Sequence, residues 1–291
     1  MSTEPKTTRF LGLPAEQSDP ETAAVAILPI PYDGTSTWKK GADRGPEALL
    51  EASQQVELYD IENRSEVWKR GIATLHPVLC TGPPEELVDR VQSRVGEILD
   101  RGQLPVLLGG EHSVTIGAVY AVADRFENLS ILQLDAHADT RESYEGSAFN
   151  HACVMARARE RCPIVQVGVR SLDASELPGL DLDRVFFAHT LSEENREWMD
   201  DVVERLTERV YLTIDLDVFD PSLLPATGTP EPGGLSWATV NELVRRVASN
   251  RQVVGFDVVE LLPTAGQHAS DFLAAKLVYR VLSMVLSQQG R

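Results

Sequence analysis

The sequence predicts an α/β protein in which helices cover both faces of a parallel sheet within one domain. Eight short apolar runs alternate with helix-length amphipathic segments, the order expected of a parallel sheet with crossover helices. Several of those runs are continuously apolar, as strands buried on both faces require. The composition is even along the 291 residues, with 43% hydrophobic and 24% charged. A chain of that length hides about three-quarters of its unfolded surface, enough for one large core.

Residues 1–21 are polar, carry Pro5, Pro14 and Pro20, and read as an N-terminal tail before a domain spanning 22–291. The apolar runs are Ala24–Ile30, Gly71–Val78, Leu104–Leu108, Leu129–Leu134, Ile164–Val169, Arg184–Phe187, Val210–Ile214 and Gln252–Val258. Between them, Pro46–Leu58 has proline near its first turn. Pro84–Arg101 sets Leu87, Val88, Val91, Val95 and Leu99 on one stripe. Ser113–Arg125, Glu193–Leu206, Ser236–Ser249 and Ser270–Ser287 complete the helical segments. No repeat or linker divides the chain.

The net charge is −17, from 44 acidic and 27 basic residues. That balance disfavours nucleic-acid or anionic-membrane partners, which need a basic footprint, and fits a small cationic ligand. Cys80, Cys153 and Cys162 form no CxxC pair, so neither a disulfide framework nor a thiolate metal cage is expected. MSTEPKTTRF has no signal-peptide core and no run reaches membrane-spanning length; a cytoplasmic protein is the expectation.

Ligands of parallel sheets collect beyond the carboxyl ends of the strands, and the polar residues there are unusual. After Leu129–Leu134 comes Asp135-Ala136-His137-Ala138-Asp139. Residues two apart on an extended chain point to the same side, so Asp135, His137 and Asp139 can converge while the alanines turn away. Asp215 and Asp217 follow Val210–Ile214 with the same spacing. Gly109-Gly110-Glu111-His112-Ser113 follows Leu104–Leu108, its glycines allowing a tight turn and Ser113 placed to cap the next helix. A lone Asp-x-Asp, or a lone His after Gly-Gly, is ordinarily a turn or cap residue. Together they place four carboxylates and two imidazoles at strand ends, where the carboxylates would repel unless two divalent cations balanced them. An oxygen-rich set without thiolates suits manganese better than zinc, and two such ions can share and acidify a water. His151 follows closely enough to border this cluster, and Glu260 ends the last strand. The stretch Asp220–Gly234, rich in Pro, Gly and Thr, is expected to wall a pocket.

These motifs resemble the ureohydrolase family, the arginases and agmatinases, over nearly the whole chain: GGEHS at 109–113, DAHAD at 135–139, IDLDVFDP at 214–221, PATGTPEPGG at 225–234 and DVVEL at 257–261. The resemblance implies a three-layer α/β/α fold with an eight-stranded parallel sheet. It implies two Mn(II) per subunit, one held by His112, Asp135, Asp139 and Asp215, the other by Asp135, His137, Asp215 and Asp217, with Asp135 and Asp215 bridging. It makes His151 the proton shuttle and Glu260 the guanidinium-binding carboxylate, and it puts Thr227, the family's loop threonine, with them among the substrate-binding residues. The reaction implied is hydrolytic attack on the guanidinium carbon, Asp139 taking up the proton, with urea and a primary amine released. A homo-oligomer, trimer or hexamer, is also implied.

Arginases hold the substrate's α-carboxylate with small polar residues between DAHxD and the shuttling histidine. Here that loop, 140–150, carries Glu142, Tyr144, Glu145 and Phe149 instead, a mix that resembles agmatinases. Glu142 and Glu145 are expected to face the ammonium of agmatine, which would yield putrescine. Arg141 is discordant: aimed into the pocket it favours guanidinobutyrate or arginine, paired with Glu142, Glu145 or Glu111 it leaves agmatine preferred. A silent metal-binding regulator would have lost a ligand, His151 or Glu260, and none is lost. A two-metal phosphoesterase would need a basic cluster that these motifs lack, and deacetylase-like chemistry uses fewer acidic ligands.

Overall fold

The run at Ala24–Ile30 forms strand β1 (Val25–Ile30) and shows why such runs are continuously apolar. Val25 and Ile27 face one side of the sheet, Ala26, Leu28 and Ile30 the other, and all five are fully buried. Each large aliphatic side chain so buried contributes about 1.5–3 kcal/mol. The structure, a computed structural model, describes residues 8–288. Seven further strands are β2 (Ile72–Thr74), β3 (Leu104–Gly109), β4 (Leu129–Leu134), β5 (Ile164–Val169), β6 (Val185–Phe187), β7 (Arg209–Asp215) and β8 (Gln252–Val259). They make one eight-stranded sheet in the order β2-β1-β3-β8-β7-β4-β5-β6, parallel throughout.

Helices α1 (Gly45–Ser53), α5 (Trp198–Arg205), α6 (Trp237–Asn250) and α7 (Ala269–Gln288) cover the Val25/Ile27 face. The opposite face is covered by α2 (Pro84–Asp100), α3 (Val114–Arg125) and α4 (Val154–Ala158). The three-layer α/β/α architecture follows. β3 and β4 are consecutive in sequence yet separated in the sheet by β8 and β7. The carboxyl ends of these four central strands therefore lie side by side, and the motif residues follow them.

Several boundaries differ from the sequence reading. Phe10, Leu11 and Leu13, within the polar tail, are buried in the core; residues 1–7 lie outside the described residues. The Phe10 N–H donates to Thr74 Oγ1 (2.9 Å) and the Leu11 N–H to Ser53 Oγ (2.8 Å), docking this segment at the ends of β2 and α1. The end of α1 comes at Ser53 rather than Leu58, the Ser53 hydroxyl donating to the Leu50 carbonyl at 2.6 Å. β2 is an edge strand paired only with β1, and keeps three residues of Gly71–Val78. α4, five residues long, was too short to show a helical period. Ser113 does not cap α3 through its side chain; its hydroxyl donates to Glu111 Oε1 at 2.8 Å.

Candidate metal centre

The strand-end carboxylates are oriented by backbone N–H groups of their own and neighbouring turns. The His137 N–H donates to Asp135 Oδ1 (2.6 Å), the Ala136 N–H to Asp217 Oδ1 (3.0 Å) and the Asp217 N–H to Asp215 Oδ1 (2.9 Å). Gln133, fully buried in β4, donates to Asp135 Oδ2 at 2.7 Å and is held by the Gln166 amide at 2.6 Å. Asp139 bends back to its neighbours through a left-handed backbone, φ 52°, and Glu260 does the same at φ 66°. Such conformations are strained in residues with a side chain and concentrate where function imposes them. Gly110 must lack a side chain, because a Cβ there would lie 1.9 Å from the Tyr32 carbonyl oxygen.

These turns bring the groups to two adjoining loci rather than one. His112 Nδ1 lies 3.1 Å from Asp135 Oδ2, 3.0 Å from Asp139 Oδ2 and 3.5 Å from Asp215 Oδ2. His137 Nδ1 lies 2.9 Å from Asp217 Oδ2 and 3.6 Å from Asp135 Oδ1. Asp135 thus sits between the clusters and offers one oxygen to each. His112, Asp135 and Asp139 form one set that could hold a metal ion, and Asp135, His137 and Asp217 the other.

The donor chemistry fits a cation. Thr213 donates its hydroxyl proton to Asp257 Oδ1 (2.6 Å), so its oxygen accepts from His112 Nε2–H at 2.9 Å. Asp257 is fixed in turn by Tyr211 (2.8 Å) and Thr115 (2.9 Å). That tautomer leaves His112 Nδ1 with a bare lone pair, buried and without a hydrogen bond, among three carboxylates. An orphaned lone pair facing acceptors is a metal-ligand arrangement, with Thr213 and Asp257 as the outer partners that fix the imidazole.

Without a metal ion the same ring nitrogens hold protons instead. Burial alone would lower the pKa of both imidazoles, but the carboxylates outweigh it: His112 is raised well above its ordinary value by Asp135 and Asp139, and His137 to about 12 by Asp217 and Asp135. Burial and the charge of Asp135 push Asp139 up to about 7. Burial and Asp217 raise Asp215 well above the carboxylate range. The cluster demands positive charge.

A cavity of about 320 Å³ opens above this centre. His112, His137, Asp139, Asp215, Asp217 and Glu260 line it, together with His151, Gly228 and Thr229. Glu260 Oε1 accepts the His112 N–H at 2.8 Å, and burial together with Glu111 pushes the Glu260 carboxyl up to about 8. Burial pushes His151 down to about 4, so its imidazole is neutral at neutral pH. The ring of Tyr144 meets that of His151 edge-on, centroids 6.1 Å apart. The Pro-rich stretch is pinned as a wall: the Arg170 guanidinium donates to the carbonyls of Asp217 (2.6 Å), Glu231 (2.8 Å) and Pro232 (3.1 Å).

Three residues expected at the substrate lie outside the cavity lining. Glu142 does not line the cavity, because Arg157 (2.8 Å) and Arg159 take its two oxygens at the surface. Glu145 is exposed and also outside the lining. Thr227 is buried behind Gly228 and Thr229, its hydroxyl without a partner. Arg141 pairs with none of the glutamates considered for it; its Nε lies 3.6 Å from Glu176 Oε2 and its guanidinium 4.4 Å from the Tyr144 ring centre. Arg141 lines the cavity with Trp38, Lys39, Asp173 and Glu176, so the mouth carries both signs of charge. Thr213, Gln133 and Glu176 were missed because nothing local in sequence marks them, and Asp257 was given no role although it opens the DVVEL motif; the fold sets Thr213 and Asp257 behind His112, Gln133 on Asp135 and Glu176 beside Arg141.

The arginase family model matches residues 23–284. A Synechocystis sp. protein named N(1)-aminopropylagmatine ureohydrolase is 39% identical over 277 residues, covering 89% of this chain and 88% of that one. A Pyrococcus horikoshii agmatinase is 35% identical, covering 91% and 93%. The crystal structure of agmatine ureohydrolase of Thermoplasma volcanium superposes with a TM-score of 0.87 at 30% identity, over 98% of this chain and 96% of that one. Motif order, sheet topology and similarity along nearly the full length converge: the chain belongs to the arginase family.

Proposed function

We propose that this chain hydrolyses a guanidino compound to urea and a primary amine, with agmatine as substrate and putrescine as product. The observation that carries the reading is Asp135, placed between two Asp/His clusters at the foot of a cavity that also holds Glu260 and His151. The set His112, Asp135, Asp139, Asp215, His137 and Asp217 would hold two manganese ions, with Asp135 common to both clusters, and the ions would supply a water acidified towards neutrality. Glu260, one oxygen fixed by the His112 N–H, keeps the other for a guanidinium, whose charge restores the ionised carboxylate and makes strong hydrogen bonds with it. Asp139 would take the proton given up in hydrolytic attack on the guanidinium carbon. His151 would carry that proton from Asp139 to the departing nitrogen, since an unprotonated amine is a very poor leaving group. Thr227 supports the wall behind Gly228 rather than touching substrate. We assign catalysis to residues 22–291, in a cytoplasmic homo-oligomer, trimer or hexamer; among the described residues no helix is long and apolar enough to cross a membrane.

Agmatine over guanidino acids is supported by the loop before His151, which lacks the arginase carboxylate-holding pattern, and by Arg141, which lies against Glu176. A second reading, N(1)-aminopropylagmatine, is favoured by the Synechocystis relative's name and by Asp173 at the mouth, where a longer polycation would reach. Urea release from agmatine, N(1)-aminopropylagmatine, 4-guanidinobutyrate and arginine decides between them. Agmatine is expected to exceed either acid in kcat/KM by about tenfold or more, because an acid's carboxylate meets Asp173 at the mouth while Arg141 lies against Glu176. Either acid above agmatine would refute the proposal; the longer amine ahead by tenfold would establish the second reading.

A further inference from the structure

Thr35 belongs to none of the motifs, yet it is the residue on which His151 rests. It is buried in the loop after β1, at 9% exposure. Its Oγ1 accepts the His151 backbone N–H at 3.0 Å and lies 3.3 Å from His151 Nδ1. Its hydroxyl donates to Glu111 Oε1 at 2.8 Å. Glu111, fully buried, also receives the Thr35 N–H (3.3 Å), the Ser113 N–H (2.7 Å) and the Ser113 hydroxyl (2.8 Å). A carboxylate surrounded by four donors is an acceptor, so the single Thr35 hydroxyl proton is committed to it. The two lone pairs of Thr35 Oγ1 are then left for two donors, the His151 backbone N–H and Nδ1–H. Donor and acceptor counts close without remainder.

We propose that Thr35, anchored by Glu111, is a positioning residue that fixes His151 as the Nδ1–H tautomer and leaves Nε2 as the ring's basic nitrogen. The inference rests on the reading of His151 as the proton carrier. In that role Nε2 takes a proton and passes it to the amine nitrogen as the C–N bond breaks and the bonding pair leaves with that nitrogen. Nδ1–H stays in place throughout. Tyr144 confines the ring from the side, but among the described residues only Thr35 hydrogen-bonds a ring nitrogen. A neutral imidazole free to exchange tautomers would spend part of its time with the wrong nitrogen protonated.

The experiment pairs kinetics with a tautomer readout. Thr35→Val keeps the shape and removes the hydroxyl; kcat is expected to fall about tenfold to a hundredfold, the scale of one lost buried hydrogen-bond partner, with KM changed by less than about threefold, because the ring and not substrate binding is disturbed. Thr35→Ser should restore kcat, and Thr35→Ala serves in place of Val if branching crowds the buried loop. On a His151→Ala background Thr35→Val should add no loss, as expected of two groups acting as one unit. Nitrogen NMR of histidine-labelled protein should show a protonated Nδ1 at residue 151 in wild type and Thr35→Ser, and a mixed population in Thr35→Val. Normal kcat in Thr35→Val, or a loss that persists on the His151→Ala background, would overturn the inference. Near-normal turnover in His151→Ala would instead overturn the proton-carrier reading, and the NMR signal then still decides whether Thr35 sets the ring.

Discussion

Asp135 and Glu142 are carboxylates on the same stretch of chain, yet the fold treats them oppositely. Asp135 is fully buried, its oxygens fixed by the His137 N–H and the Gln133 amide, and it faces two imidazoles. Glu142 is 70% exposed and neutralised by Arg157 and Arg159 at the surface. The first stands at the end of a central strand, where neighbouring strands hold its position; the second stands in a loop that borders the cavity without filling it. Groups needed for attack on any guanidinium come from β3, β4, β7 and β8, and groups able to tell one guanidine from another come from loops at the mouth. Reaction class and substrate choice therefore reside in separate parts of the molecule.

The largest effect should come from Asp135→Ala, because one residue serves both clusters. Metal analysis of the purified variant is expected to show both ions reduced together and urea release below detection, against an expected two ions per chain in wild type. Removing one buried partner also leaves the others uncompensated, at about 3–5 kcal/mol for a buried pair. A variant retaining one tightly bound ion per chain would break the claim that Asp135 is shared.

The two regions also differed in what the sequence disclosed. The strand-end carboxylates were visible because their spacing repeats the two-residue period of a strand and each pair directly follows an apolar run. Asp139 was visible too, although it reaches the cluster by a left-handed turn that no extended-chain spacing describes. The fold was legible for the same reason, the runs Leu129–Leu134 and Ile164–Val169 matching β4 and β5 to the residue. Thr35 escaped because its partners stand 76 and 116 residues away. Glu176 escaped because it looks like an ordinary surface acid until the fold sets it under Arg141. Short-range periodicity reports where a side chain points, whereas pairing across loops depends on packing that no local pattern encodes.

His151 lies between the regions, and its proton affinity offers a measure of how far the buried environment extends. The unfolded imidazole binds a proton near 6.5, while burial delays the folded one to about 4. Between those values the unfolded state binds more protons, so stability falls as pH falls through this window and the contribution is complete above it. In metal-free protein, the stability difference between wild type and His151→Asn should be largest at pH 7 and shrink towards pH 4, by on the order of 2 kcal/mol. Urea unfolding of both proteins at pH 7 and 4.5 tests this; a difference independent of pH would place His151 in a solvent-like setting, on the mouth's side of the comparison.

The smallest effects are expected at the mouth, and they sharpen the division most. Glu142→Ala should leave kcat/KM for agmatine within about twofold, as exposed substitutions usually do, because its charge is already spent on Arg157 and Arg159. Arg141 is the stricter case, since it lines the cavity yet lies against Glu176 and over Tyr144. With its charge compensated there, Arg141→Ala should leave the order of agmatine above 4-guanidinobutyrate unchanged. The alternative has a distinct signature: an arginine that reaches into the cavity would hold the acid's carboxylate, and its removal would depress 4-guanidinobutyrate alone by tenfold or more. Measuring both substrates on wild type, Glu142→Ala and Arg141→Ala separates the outcomes. A selective loss in Arg141→Ala would show that the mouth, by one ion pair's rearrangement, chooses between an amine and an acid over an unchanged reaction centre.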